Sequence, residues 1–254
     1  MEKVSIIVPV YNAAEYVGKC LESVALQDYK NIEIIVVEDG SDDESPDVCK
    51  EYARRYDNIK VYHDKCGTAG AARNYGMSKA AGDYVMFVDA DDYLTDNCVV
   101  SELIKKMENV DIVVGNYQRL WKNRLLDASK NSGFAGLNMN SVDFAFGGFF
   151  SIGTLSYAWA KLYRKSFLDS NKIEFGDYLV QNGLRIGLHF FTIQQAVFLF
   201  RLTSQIHVLS YGQMGSNCCL LLNNCDTCIQ SILRSFKVTY FSVQNDFAPC
   251  GLIN

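Results

Sequence analysis

The first half of the chain alternates between two hydrophobic periods, and few folds can accommodate that alternation. Val4–Val10, "VSIIVPV", is a continuous run rich in β-branched residues, the pattern of a strand buried on both faces. Behind it Tyr16, Cys20, Leu21, Val24 and Ala25 recur at spacings of three and four, which predicts a helix. The pair then repeats. A strand is expected over residues 32–37, followed by a helix with Ser45 as its cap and Pro46 in its first turn. A strand over Ile59–His63 leads to a small-residue helix over 70–82 that ends at a glycine. A strand over 84–88, a helix over 97–109 and a strand over 111–120 complete the series. Such alternation predicts βαβ units: an α/β domain built on a mostly parallel sheet flanked by helices.

In sheets of this kind ligands bind beyond the carboxyl ends of the strands. Three polar segments, "YNAAE", "EDGSDD" and "DADD", each follow a strand directly, so they are expected along that one edge. The last is the densest: Asp89, Asp91 and Asp92 place three carboxylates in four positions behind an apolar strand. Like charges this close repel, and dehydrating them is costly. Two carboxylates one residue apart can hold Mg²⁺ or Mn²⁺, which takes one or two protein carboxylates and completes its shell with water and phosphate oxygens. The bland alternative is a solvated turn, and Asp-Gly and Ser-Asp in "EDGSDD" are ordinary turn chemistry.

Composition excludes several classes. The 254 residues carry a formal net charge of −5 with a pI near 5.3, without the basic excess of a nucleic-acid binder. The opening "MEKVSIIVPVYN" does not read as a signal peptide. The nine cysteines are odd in number and scattered, which predicts free thiols in a reducing cytosol. Cys225 and Cys228 form a C-x-x-C with no second such pair, so no zinc centre is expected. No run is long and apolar enough for a membrane span; residues 186–200 come nearest, interrupted by His189, Gln194 and Gln195. A dinucleotide oxidoreductase would carry G-x-G-x-x-G behind its first strand, where this chain has "YNAAEY".

In order and spacing, "SIIVPVYN", "IIVVEDGSDD", "GTAGAARNYGM" and "GDYVMFVDADD" resemble the motifs of family 2 glycosyltransferases. The resemblance extends over about residues 1–175 and includes "YAWAKLYRKSFL" at residues 157–168. It implies the GT-A fold, a Rossmann-like mostly parallel sheet. It also implies transfer of a sugar from a nucleoside-diphosphate donor, UDP-linked by preference, to a glycan or lipid-linked acceptor hydroxyl. It assigns Pro9 and Tyr11 to the surroundings of the base and Asp39 to the imide N–H of uracil. Arg73 faces the nucleotide, Asp89 the ribose, and Asp91 the Mn²⁺ or Mg²⁺ ion. Glu38 stands where the family commonly has aspartate. Elementary chemistry agrees with these roles. A carboxylate only accepts hydrogen bonds, a guanidinium only donates, and a metal stabilises the charge gained by the departing diphosphate.

An inverting transferase also needs a base for the acceptor hydroxyl. The family's acidic pair beyond "KLYR" is missing here, which leaves Asp177 as the candidate and His189 as the fallback. The chain is expected to divide into a nucleotide-sugar-binding core over 1–116, an acceptor-side part over 117–177, and an atypical C-terminal extension over 178–254. That extension holds only six charged residues, no glutamate and five of the nine cysteines. Two readings of it stand: a divergent acceptor region in peripheral contact with the inner face of a membrane, or a slipped reading frame that removes the base. Under the second, the protein binds a nucleotide sugar with little or no catalysis. Either way a cytoplasmic location is expected.

Overall fold

The structure, a computed structural model, describes residues 1–115, 117–121, 124–126, 138–140, 158–175, 237–240 and 252–253. It opens with β1 (Val4–Val10), α1 (Ala14–Ala25), β2 (Ile32–Glu38), α2 (Ser45–Arg55), β3 (Ile59–His63), α3 (Ala69–Lys79) and β4 (Tyr84–Phe87). Next come β5 (Tyr93–Leu94), α4 (Val99–Ile104), β6 (Ile112–Val114), β7 (Tyr117–Trp121), β8 (Arg124–Leu126) and β9 (Asn138–Asn140). The remaining elements are β10 (Lys161–Arg164), α5 (Lys165–Ser170), β11 (Lys237–Tyr240) and β12 (Leu252–Ile253).

Six strands in the order β3-β2-β1-β4-β10-β6 form the body of the main sheet, which β11 and β9 extend beyond β6. β1 to β4 are parallel neighbours. β10 runs antiparallel to both β4 and β6. The sheet is mixed but mostly parallel, as the sequence predicts, and β10 is the reversed strand of its body. The "KLYR" run holds no information on the direction of the strand it forms. That is set by anchors: the Arg164 N–H donates to the Asp111 carbonyl at 2.8 Å, and the Arg164 guanidinium donates to the carbonyls of Met107 and Val110. β5, β12, β7 and β8 make a second, four-stranded sheet.

Residues of β1 alternate between two cores. Val4, Ile6, Val8 and Val10 pack with Val17, Leu21 and Val24 of α1. Ile7 packs on the other face with Ala72 of α3, Val85 and Phe87. α3 lies unusually near the sheet, because a Cβ on Gly76 would collide with the Ile7 side chain. That explains the small residues of its sequence. At the amino edge, buried Glu33 accepts from Lys3 Nζ at 2.7 Å, Ser5 Oγ at 2.6 Å and the Ala81 N–H at 2.7 Å. Gly82 does not cap α3. It closes on β1, where its N–H donates to Ser5 Oγ and a Cβ would meet Ser5 Oγ and the Lys3 carbonyl under 3 Å.

Three element boundaries differ from the expected ones for local reasons. Ser45 is the first residue of α2 and not its cap. α4 is shorter than the 97–109 pattern and closes in a tighter turn, the Lys106 N–H donating to the Leu103 carbonyl and the Met107 N–H to the Ile104 carbonyl. The run 111–120 is divided at Gly115, whose N–H donates to the Ala160 carbonyl, and β6 and β7 enter different sheets. Among the described residues Cys20 and Cys49 are free thiols, while Cys98 is disulfide-bonded, against the expectation for the cysteines as a whole. No helix of the described residues is long and apolar enough to cross a membrane. Of the expected C-terminal extension, only β11 and β12 belong to the described residues.

Candidate active site

Strand order reverses between β1 and β4: the chain first winds outward through β2 and β3, then returns to the other side of β1. The carboxyl ends at such a point diverge and leave a crevice. Pro9 contributes to it. Alternate residues of β1 turn their N–H towards β2 or β4, and position 9 turns towards β4, whose pairing with β1 stops at Phe87. A proline, lacking an N–H, is tolerated where no partner strand remains. Tyr11, just past β1, is 58% exposed.

The two loops behind β1 and β2 are laced together. The Asn12 N–H donates to Ser41 Oγ at 3.0 Å, and the Asp42 N–H donates back to Asn12 Oδ1 at 2.9 Å. Asn12 holds φ 47°, a left-handed conformation that asparagine tolerates. The Ala13 N–H donates to Ser45 Oγ at 2.8 Å and the Ala14 N–H to Asp43 Oδ2 at 3.0 Å. Ala13 itself offers no cap to α1, so the opening N–H groups of that helix are satisfied from the neighbouring loop. Three of the side chains in "EDGSDDES", those of Ser41, Asp43 and Ser45, are thus committed to structure. Glu38 is another. It is buried and accepts from the Ser41 N–H at 2.6 Å, with His63 Nδ1 at 3.1 Å. Burial would raise its pKa, but these hydrogen bonds outweigh burial and hold it below the usual carboxylate value.

Asp39 stands at the crevice. Its N–H donates to the Val10 carbonyl, and its Oδ1 accepts from the Gly67 N–H at 2.9 Å, which draws the loop before α3 towards the edge. Gly67 has φ 79°, and a side chain there would be strained. From α3, Arg73 reaches the same edge. It is 2% exposed, and its Nη2 donates to Asp89 Oδ1 at 2.5 Å. The Arg73 guanidinium also lies 5.4 Å from the centroid of the Phe175 ring.

The three carboxylates behind β4 take three directions. Asp89 faces Arg73. Asp91 is exposed. Its charge reaches Tyr16 of α1, whose phenol is pushed up chiefly by its hydrogen bond to Glu15 and the charge of that residue, then by burial and Asp91. Asp92 turns inward, 2% exposed, and its N–H donates to the Asp89 carbonyl at 3.0 Å. The adjacent Cys20 thiol is pushed well up by burial first and then by Asp92, Asp89 and Asp91. No group of three or more His, Cys, Asp or Glu able to hold a metal occurs among the described residues. One or two carboxylates at the rim, Asp91 with Asp89, suit a hard cation that keeps water and phosphate oxygens in its shell. A cleft of about 580 Å³ lies beside the crevice, lined by residues including Asn12, Glu15, Tyr16 and Asp43. It borders the loops behind β1 and β2 but contains none of the expected site residues.

The structure thus gathers Pro9, Tyr11, Asp39, Arg73, Asp89 and Asp91 along one edge. Asp177 and His189 lie outside the described residues. Sequence reasoning passed over Asn74, whose carboxamide bonds the Phe175 backbone, and the burial of Asp92. The one signal for Asn74 was its place next to Arg73 in "ARN"; nothing local marks Asp92.

A family model described as glycosyl transferase family 2 matches residues 5–168. Glycosyltransferase GlyA of Streptococcus pneumoniae is 44% identical over 117 residues, which cover 46% of this chain and 17% of that one. EpsH of Bacillus subtilis, also named as a glycosyltransferase, is 33% identical over 174 residues, covering 68% and 50%. The chain therefore spans half or less of the length of these relatives. Among solved structures, S. aureus TarS 1-349 in complex with UDP-GlcNAc has a TM-score of 0.57 at 25% identity, covering 68% of this chain and 48% of that one. A mannosyltransferase of Pyrobaculum calidifontis in complex with GDP-Man and Mn²⁺ shares the fold at TM-score 0.51 and 18% identity, covering 69% and 48%.

Proposed function

The chain belongs to glycosyl transferase family 2, and from that premise we propose that it transfers a sugar from a UDP-sugar donor to a glycan or lipid-linked acceptor hydroxyl, with inversion. The observation that carries this reading is the Arg73–Asp89 pair beside exposed Asp91 at the point where strand order reverses. A nucleoside diphosphate needs donors for its oxygens, acceptors for its base and ribose, and a charge partner for its phosphates. Arg73 provides the donors, Asp39 an acceptor for the base, Asp89 an acceptor for the ribose, and Asp91 the anchor for Mn²⁺ or Mg²⁺. When bound, the cation neutralises charge on the departing diphosphate. Pro9 and Tyr11 flank the base, and the exposed Tyr11 ring offers a stacking face. The complex of TarS with UDP-GlcNAc supports the choice of UDP. Asp177 is the proposed base. The core over 1–116 is assigned to the donor and 117–177 to the acceptor side.

A second reading, donor binding with weak or no transfer, is favoured by one observation. The family match ends at residue 168, close to where the charge-poor extension begins and the expected acidic pair is missing. One experiment separates the two. Nucleotide sugars are screened for binding with and without Mn²⁺, and the best binder is assayed for turnover with an acceptor. Binding of a UDP-sugar with turnover at an ordinary rate supports the enzyme. A loss of roughly 10²–10⁴-fold in rate with binding intact is what a missing base would give. Binding of no nucleotide sugar would overturn both readings. Work at the inner face of a membrane follows only if the acceptor is lipid-linked.

A further inference from the structure

Asn74 follows Arg73 on α3, and its carboxamide makes two hydrogen bonds to a single residue 101 positions away. Nδ2 donates to the Phe175 carbonyl and Oδ1 accepts from the Phe175 N–H, each at 2.8 Å. This is the pairing that a neighbouring strand would offer, so one side chain does the work of a strand for that backbone. The Phe175 ring is buried, edge-on to Phe87 of β4 at 5.1 Å and 83°. On it lies the Arg73 guanidinium, 5.4 Å from the centroid, while Asp89 holds Nη2 from another side. An arginine with many rotamers is thereby reduced to one orientation by a ring and a carboxylate.

We infer that Asn74 is a positioning residue of this site: it docks Phe175 under Arg73, and through that ring fixes the guanidinium that the nucleotide meets. The link joins Phe175, which stands two places before Asp177 in sequence, to the donor edge of the sheet. The inference rests on the reading of Arg73 as a nucleotide-facing group.

The test is a cycle of Asn74→Ala and Phe175→Leu in the full chain, with UDP affinity measured calorimetrically in Mn²⁺. Phe175→Leu keeps apolar volume and the Asn74 bonds but removes the aromatic face. Each single variant is expected to weaken UDP roughly three- to tenfold, the scale of a lost hydrogen bond or ring contact. The double variant should be no weaker than the weaker single, because both act through one orientation of Arg73. Unchanged affinity in Asn74→Ala, or effects that multiply in the double, would overturn the inference. Asn74→Asp, which keeps the shape and the acceptor but loses the donor, takes its place in the cycle if Asn74→Ala does not fold. If the parent binds no UDP, the donor reading fails on its own, and NMR of the nucleotide-free protein decides this one. Exchange of the buried Arg73 Nε–H with water should quicken in Asn74→Ala, and an unchanged rate would refute the link.

Discussion

Asp89, Asp91 and Asp92 stand within four positions, yet they have different neighbours and should respond differently to substitution. Asp91, exposed at the rim, is the one whose charge is free to serve a cation. Asp91→Asn keeps the shape and drops the charge, so UDP binding by the variant should no longer strengthen with Mn²⁺. Calorimetry with and without the metal checks this, and a retained Mn²⁺ effect would place the ion elsewhere. Asp39→Ala should weaken UDP by about 1.5–3 kcal/mol, the worth of a hydrogen bond to a charged group, and leave the Mn²⁺ effect in place. Its second role, accepting from the Gly67 N–H, predicts faster hydrogen exchange at Gly67 in the same variant. Ser45 has no part in either. Its hydroxyl caps α1 from the neighbouring loop at a fully buried position, so Ser45→Ala should cost about 1–2 kcal/mol in denaturant unfolding. UDP affinity unchanged alongside that loss would mark the role as structural.

At the scale of an element, two helices give opposite answers to one substitution. Glycine inside a helix costs roughly 0.5–1 kcal/mol relative to alanine, so replacement helps wherever a methyl fits. On α1 it fits: a Cβ at Gly18 would meet Tyr52 at an ordinary 3.4 Å. On α3 it does not, since a Cβ at Gly76 would overlap Ile7 in the sheet. Gly18→Ala is therefore expected to raise the thermal midpoint slightly. Gly76→Ala is expected to lower stability by about 1–2 kcal/mol, overpacking outweighing propensity. Equal shifts in the two variants would show that α3 can move off the sheet. The alternation of strands and helices was plain in the sequence because two-sided burial writes itself as runs and one-sided burial as a 3.6 period. The reversal of β10 was not, since its anchors, the bonds of Arg164 to Met107, Val110 and Asp111, reach back to a segment far earlier in the sequence.

For the molecule as a whole, the buried carboxylates of the sheet predict where acid unfolds it. Burial would raise the pKa of Glu33, but bonds from Lys3, Ser5 and the Ala81 N–H hold it below its ordinary 4.5. Glu38 is lowered in the same direction. A depressed pKa means the unfolded chain binds the proton more tightly, so this stabilisation is present above pH 4.5 and is lost as the pH falls through the folded value. Glu33→Gln should thus be less stable than the parent at neutral pH, with the gap closing below 4.5. Denaturant midpoints measured across that range provide the check, and a constant gap would mean that Glu33 does not titrate on unfolding.

Composition, period and motif order were enough to settle the class of fold, the parallel strands β1 to β4 and the edge at which its polar turns collect. Each of these follows from burial repeated locally along the chain. The contacts made across the sheet needed the fold itself. They include the lacing of Asn12 to Ser41, the service of Ser45 to a helix other than its own, the inward turn of Asp92 and the grip of Asn74 on Phe175. Whether a polar side chain serves ligand, backbone or solvent depends on which partners lie within about 3 Å of it. Residues 101 positions apart reach that distance here only because β10 doubles back between β4 and β6.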